Sequence, residues 1–400
     1  MTLRQRNQPT TSSPTERPPP TKESKLPWYQ YPLNLILANT LRFLGKFGFY
    51  LHNKRYKPNG IPVTRAIKVR MRDGADIVLH IYEPSSSRST SSSASRSQSE
   101  PSSSGLRPCV INFHGGGFTI GSATDDSRWA YWCTRTRDPN GPSTSATEEG
   151  KGLGGIFISI EYRLAPEYPH PTPVNDCIDS TIYILKNAEE FGIDSGQVFL
   201  SGFSAGGSLA VTTALALSSP SSSSSPSSLC PLSTTTSTRD TKRENKNPIA
   251  GVIAFYPVLD FNTPRSIKRQ QARAYFDPNG GEGEGEGKII PLPGWMTRMF
   301  DTSYLPPHLS LDRLDPMISP GLAPDHLLER FPNIHLVLCG ADVLANEGRV
   351  FGERLRGAGR EVVVRTVEGA RHGWDKPPLP LQGSVGKEYD AAIASMMRWC

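Results

Sequence analysis

Residues 198–217 read VFLSGFSAGGSLAVTTALAL, and the order of those letters decides the fold. Val198-Phe199-Leu200 is a short uninterrupted apolar run, the pattern of a strand buried on both faces. Ala205–Leu217 is apolar and small, without Pro, and reads as a helix. Between them Gly202-Phe203-Ser204-Ala205-Gly206 fits the G-x-S-x-G pattern of a sharp strand-to-helix turn, which holds a serine hydroxyl clear of the backbone. Serine is a poor nucleophile until a neighbouring base takes its proton. The helix N-terminus that follows Ser204 offers positive potential to a developing anion. In a chain with 36 glycines a five-residue pattern of this kind also arises by chance, so its companions decide.

Outward from this stretch the chain alternates strand and helix. Ala66–Met71 and Asp76–Tyr82 flank Arg72-Asp73-Gly74-Ala75, a hairpin signal. Apolar runs follow at Cys109–Phe113, Ile156–Ile160, Ile249–Phe255, Ile334–Leu338 and Val362–Val367. Helical patterns lie at Asp126–Arg137, Val174–Glu190, Glu347–Ala358 and Lys387–Arg398. A hairpin followed by βα units predicts an α/β fold, a mostly parallel sheet wrapped by helices. Residues 26–62 and about 263–325 fall outside the alternation and are expected to form a cap over a domain spanning 63–400.

Several segments cannot bury enough apolar surface to offset chain entropy. Residues 1–25 read as a polar, proline-rich tail, and 85–105, 138–155, 218–247 and 279–287 read as low-complexity insertions. They dilute the hydrophobic share to 36%. The remaining ~300 residues suffice for one core and a cap.

A base and an orienting acid are required downstream, since chain order in a fold of this kind is Ser, then Asp or Glu, then His. Of the eight histidines, His308, His326, His335 and His372 follow Ser204. His335 sits inside an apolar strand pattern, and His308 and His326 lie in irregular proline-rich sequence. His372, in Gly369-Ala370-Arg371-His372-Gly373-Trp374, follows the strand Val362–Val367 on a glycine-bearing loop, where a general base would face Ser204. Asp342, just past the strand Ile334–Leu338, is placed to fix the imidazole tautomer, with Glu347 as the alternative. Upstream, His114-Gly115-Gly116-Gly117-Phe118 exposes backbone N–H groups suited to an oxyanion hole or a phosphate cradle. No Gly-Lys-Ser/Thr follows, which removes the phosphate reading.

HGGGF at 114–118, EYRLAPEYPHPTPVNDC at 161–177, GFSAGG at 202–207, ADVL at 341–344 and ARHGW at 370–374 together resemble the hormone-sensitive-lipase-like carboxylesterases of the α/β-hydrolase fold. The resemblance covers most of residues 60–400. It implies an eight-stranded, mostly parallel sheet flanked by helices, with a helical cap. It also implies a triad of Ser204, Asp342 and His372, with Gly115, Gly116 and Ala205 donating N–H groups to an oxyanion. Arg163 and Glu167, in the second motif, read as a structural pair, with each other or with Asp176. Phe203 stands where the family often has a small or acidic residue, and the Asp342 loop lacks the commoner Asp-Pro start. The implied activity is cleavage of a small-molecule acyl ester through an acyl-enzyme, with no cofactor and no metal. The alternatives on the same triad are an amidase or an acyltransferase. A non-catalytic small-molecule receptor on this fold is the remaining reading, and the presence of His372 argues against it.

Charge and cysteine usage bound the partners. The first 72 residues hold 14 Lys and Arg against two acids, ahead of a mildly acidic remainder. No aromatic-plus-basic RNA motif or zinc-finger spacing appears, so no nucleic-acid partner is expected. Tyr31–Leu51 is apolar but interrupted by Asn34, Asn39, Arg42 and Lys46, which predicts an amphipathic helix packed on the body or lying in a membrane interface. Six cysteines without scaffold or metal spacing, no glycosylation sequon and a polar N-terminus predict an intracellular, cytoplasmic location.

Overall fold

The computed structural model describes residues 29–55, 61–84, 105–136, 152–218, 247–276, 289–376 and 384–400. The tail 1–25 and nearly all of 85–105, 138–155, 218–247 and 279–287 lie outside the described residues. In chain order the strands are β1 (Arg65–Arg70), β2 (Asp76–Tyr82), β3 (Arg107–Phe113), β4 (Ile156–Glu161), β5 (Ile193–Phe203), β6 (Gly251–Phe255), β7 (Asn333–Cys339) and β8 (Val362–Val367). The helices are α1 (Gln30–Arg55), α2 (Ser127–Thr134), α3 (Thr172–Lys186), α4 (Ala205–Ser218), α5 (Arg265–Phe276), α6 (Gly294–Tyr304), α7 (Asp325–Leu328), α8 (Ala345–Gly357) and α9 (Ser384–Trp399).

The strands form one sheet in the order β1-β2-β4-β3-β5-β6-β7-β8. β1 and β2 are the expected hairpin, paired from Arg65 with Ile81 to Arg70 with Asp76, and β2 runs antiparallel to β4. Every pairing from β4 onward is parallel. Side chains alternate between two apolar layers, as period-two strands require. Cys109, Ile111, Ile158, Ile160, Leu200 and Leu336 pack into one layer with residues of α3, α4 and α8. Val110, Phe157, Phe199, Phe255 and Val337 pack into the other, against Trp129 of α2 and Tyr389 of α9. The predicted runs are buried on both faces except β8, where Val362–Thr366 are half-buried because an edge strand has one neighbour only. β5 begins five residues before its apolar run, since Ile193 already pairs with Arg107.

Two pairs of segments well separated in sequence are tied together at the N-terminal end of the parallel strands. Asn247 Nδ2 donates to Ser218 Oγ at 2.6 Å. Gly154 N and Gly155 N donate to Arg135 O and Cys133 O at 3.1 and 3.0 Å.

The region 263–325 contains α5, α6 and two short 3-10 turns at Pro307–Leu309 and Pro320–Leu322. α1 packs with α6, but through its polar side. Buried Asn34 donates to Thr302 Oγ1 at 2.8 Å, and Arg42 reaches Thr119 O and Ala165 O, both at 2.8 Å. Glu167 is paired with Arg42 at 2.7 Å, not with Arg163. Arg163 pairs with Asp176 and with Asp73, each at 2.6 Å. No helix among the described residues is long and apolar enough to cross a membrane.

Candidate active site

The C-terminal ends of the parallel strands converge on one cavity of about 1290 Å3. Its apolar lining includes Leu41, Phe118, Phe261, Leu292, Phe300 and Val343, contributed by α1, the glycine loop, α6 and the segments around them. Ser204, Asp342 and His372 all line it, together with Gly115 and Gly116.

Ser204 follows β5 directly and carries a φ of 54°, left-handed backbone that costs a non-glycine residue roughly 1–2 kcal/mol. The neighbours hold it there. Ser204 N donates to Phe255 O at the end of β6 at 2.8 Å, and Ser208 N of α4 donates back to Ser204 O at 3.0 Å. The tight turn brings the start of α4 against β3. A Cβ on Gly206 would lie 1.8 Å from Phe113 O, so only glycine fits.

The structure brings the three separated residues into one hydrogen-bonded chain. Ser204 Oγ lies 2.8 Å from His372 Nε2, and His372 Nδ1 lies 2.6 Å from Asp342 Oδ2. Asp342 is buried, and its other oxygen accepts Leu344 N at 3.2 Å. With Nδ1 committed to a carboxylate, Nε2 is free to accept the serine proton. Glu347, the alternative acid, is engaged elsewhere. It pairs with Lys268 at 2.5 Å and accepts Leu259 N at 2.7 Å.

Past β3, the glycine loop bends at Gly116, where a φ of 114° and a Cβ that would lie 2.1 Å from Ile120 O exclude any side chain. The N–H groups of Gly115 and Gly116 have no backbone or side-chain acceptor among the described residues. Ala205 opens α4, ahead of the helix ladder, so its N–H is also free of an intrahelical partner. The loop is braced by Tyr162, which donates to His114 O at 2.8 Å and stacks on the His114 ring at 4.2 Å.

Four residues beside the triad, Tyr256, Asp375, Lys376 and Tyr389, belong to none of the quoted motifs. Tyr256, with a φ of 39°, sets its ring edge-to-face against His372 at 5.0 Å and donates its hydroxyl to Asp375. Tyr389 donates to the other Asp375 oxygen at 2.7 Å. Lys376 bridges Asp126 at 2.6 Å and Asp375 at 3.0 Å, and its ammonium lies 3.4 Å from the centre of the Phe203 ring. Burial alone would raise Asp375, but Lys376 and the two tyrosines outweigh it and hold its carboxyl below the usual range. Asp125, also on the cavity wall, is pushed up to about 6, mainly by burial and further by Asp126. The available sequence signal for Asp375 and Lys376 is their place beside His372 in RHGWDK at 371–376. Phe203 is likewise explained. Fully buried, it stacks on Phe255 at 4.4 Å and forms the face on which Lys376 rests.

Comparison with known proteins bears on this arrangement. A family model described as alpha/beta hydrolase fold matches residues 110–376. Lipase 2 of Moraxella sp. (strain TA144) is 26% identical over 76% of this chain, which spans 60% of that protein's length. Arylacetamide deacetylase of Bos taurus is 26% identical over 87% of this chain and 86% of its own. Among solved structures, a fungal esterase from Rhizomucor miehei superposes with a TM-score of 0.64 at 19% identity, covering 94% of this chain and 97% of that one. Carboxyl esterase 2 of Tuber melanosporum gives 0.58 at 20% identity, covering 84% and 85%.

Proposed function

The chain belongs to the alpha/beta hydrolase fold family, in its hormone-sensitive-lipase-like branch, and on that premise we propose that it is a serine hydrolase of carboxylic esters. The observation that carries the reading is the pair of short hydrogen bonds linking Ser204, His372 and Asp342 on the wall of an apolar cavity. His372 Nε2 takes the Ser204 proton as Oγ attacks the ester carbonyl. The oxyanion forms toward the N–H groups of Gly115, Gly116 and Ala205, which need not reorient to receive it. Asp342 keeps the imidazole in the correct tautomer and stabilises the imidazolium. Collapse of the tetrahedral intermediate expels the alcohol, protonated by His372, and leaves an acyl group on Ser204. A water deprotonated by His372 then attacks the acyl carbonyl, and release of the acid restores the serine.

The lining residues Leu41, Phe261, Leu292 and Phe300 suit an apolar acyl group, and α1 with α5 and α6 forms the cap over it. Relatives named lipase and neutral cholesterol ester hydrolase support ester cleavage, while one named arylacetamide deacetylase keeps amide cleavage by the same residues as the second reading. The test is Ser204→Ala assayed on a short-chain acyl ester. Turnover falls by about a thousandfold or more with the fold retained by circular dichroism. Survival of a tenth of the activity would sink the assignment. Ester, amide and alcohol-acceptor assays run side by side separate hydrolysis from amide cleavage and acyl transfer.

A further inference from the structure

α1 is amphipathic in the reverse sense for a surface helix. Asn34, Ala38 and Arg42, at i, i+4 and i+8, face the body, and Arg42 commits its guanidinium to Glu167, Thr119 O and Ala165 O. The other side carries Leu33, Ile36, Phe43, Leu44 and Phe47 in one stripe, with Ile36 64% and Phe43 70% exposed. An apolar stripe turned to solvent marks a surface that meets something. It borders the cavity, since Leu41, Gly45 and Lys46 of the same helix line it. Trp295 at the start of α6 and Ile267 of α5 are exposed beside residues of that lining.

The unpaired charges on α1, α5 and α6 are of one sign. Neither α1 nor α5 contains an acid. Lys46, Arg269, Arg273 and Arg298 are exposed, and none has an ion-pair partner among the described residues. Two of the nearby acids, Glu167 and Asp301, are taken by Arg42 and Arg265. The first 72 residues of the chain carry a balance of +12. Lys46, Arg269 and Arg298 line the cavity that the stripe borders, with Arg273 one turn further along α5, and an apolar stripe beside unpaired cations matches a surface that offers both an acyl phase and diffuse negative charge. We propose that this face docks on an anionic lipid surface, with the Phe43 and Phe47 rings entering the acyl boundary, the basic residues over the headgroups and the cavity rim turned toward the lipid. The proposal stands apart from the ester reading, because docking and hydrolysis are measured separately.

The experiment sediments the full chain with phosphatidylcholine vesicles, with and without phosphatidylglycerol. The wild type pellets with the anionic vesicles and about tenfold less with the neutral ones or at high salt. Phe43→Ser combined with Phe47→Ser lowers partition to anionic vesicles about tenfold or more. Arg273→Glu lowers it several-fold. All three positions lie outside the cavity lining, and circular dichroism with a thermal midpoint at the wild-type value certifies the fold independently of any activity. Wild-type protein left in the supernatant would overturn the proposal. So would binding unchanged by the double phenylalanine variant, which would place it on the basic tail, or a Phe43/Phe47-dependent dimer without lipid.

Discussion

Replacing Lys376 by Met takes a positive charge from between two carboxylates. The Asp126 and Asp375 side chains are fully buried, and neither has another cation in bonding distance among the described residues. Removing one partner of a buried ion pair typically costs about 3–5 kcal/mol, because the remaining charge stays desolvated. Lys376 keeps 22% of its side chain exposed, which places the loss at the lower end, near ~3 kcal/mol. At roughly 2–4 °C per kcal/mol, thermal unfolding should begin about 6 °C or more below wild type. The sign of the pH dependence follows from Asp375. Its folded value lies below the ordinary one, so its ion pair stabilises the wild type above about pH 4 and is lost as pH falls through the lower folded value. In Lys376→Met burial acts on Asp375 without the ammonium, its carboxyl shifts upward, and protonation relieves the penalty. The deficit is therefore largest near neutrality and shrinks toward about pH 5. Melting followed by circular dichroism across that range checks it. A deficit under about 1 °C, or one that does not change with pH, would refute the charge argument.

Asp342→Asn leaves the geometry but favours the wrong imidazole tautomer, and kcat on a short ester should fall by about a thousandfold or more. Glu347→Gln should change kcat less than tenfold while lowering stability by about 3 kcal/mol, because its carboxylate serves Lys268 and not His372; a thousandfold loss of kcat would make it the orienting acid. Gly206→Ala forces a methyl against Phe113 O and should abolish soluble expression or cost more than about 4 kcal/mol. Gly45→Ala meets nothing within 4 Å inside α1 and should gain up to about 1 kcal/mol, read from the same melts.

What could be read from the chain, and what could not, divides along a physical line. β3, β4, β5 and β7 announce themselves because the central run of a strand covered on both faces is mostly apolar, broken in each by one buried polar residue, Asn112, Ser159, Ser201 or His335. The glycines at 115–117, 202 and 206 were legible because close backbone approach leaves no other choice. Long-range polar pairing was not. Arg42 meets Glu167 across 125 positions, and nothing local to either selects the other. α1 shows the same limit, since its periodicity gave an amphipathic helix but not which side would face the body. Tyr256 was invisible for a different reason: its left-handed backbone is held by the hydrogen bond from its N–H to Val337 O of β7, while FYPVLD at 255–260 has no glycine or asparagine to signal a positive φ, and Pro257 favours extended backbone in the residue before it.

The hydrogen bonds joining Ser218 to Asn247, and Arg135 and Cys133 to Gly154 and Gly155, bear on how this protein tolerates changes in length. Each gap they close enters a strand from its N-terminal end, β6 or β4, opposite the pole where Ser204, Asp342 and His372 meet. A loop whose ends are already held together adds only the entropy of its own closure, and doubling its length costs about 0.6 kcal/mol. Inserting or deleting residues there is thus a small perturbation, uncoupled from the chemistry. At the other pole Ser204 and Tyr256 are each fixed by a hydrogen bond under 3 Å to a neighbouring strand, and a single extra residue would displace a reacting group. The sheet gives the molecule one end free to vary in length and one end that is not.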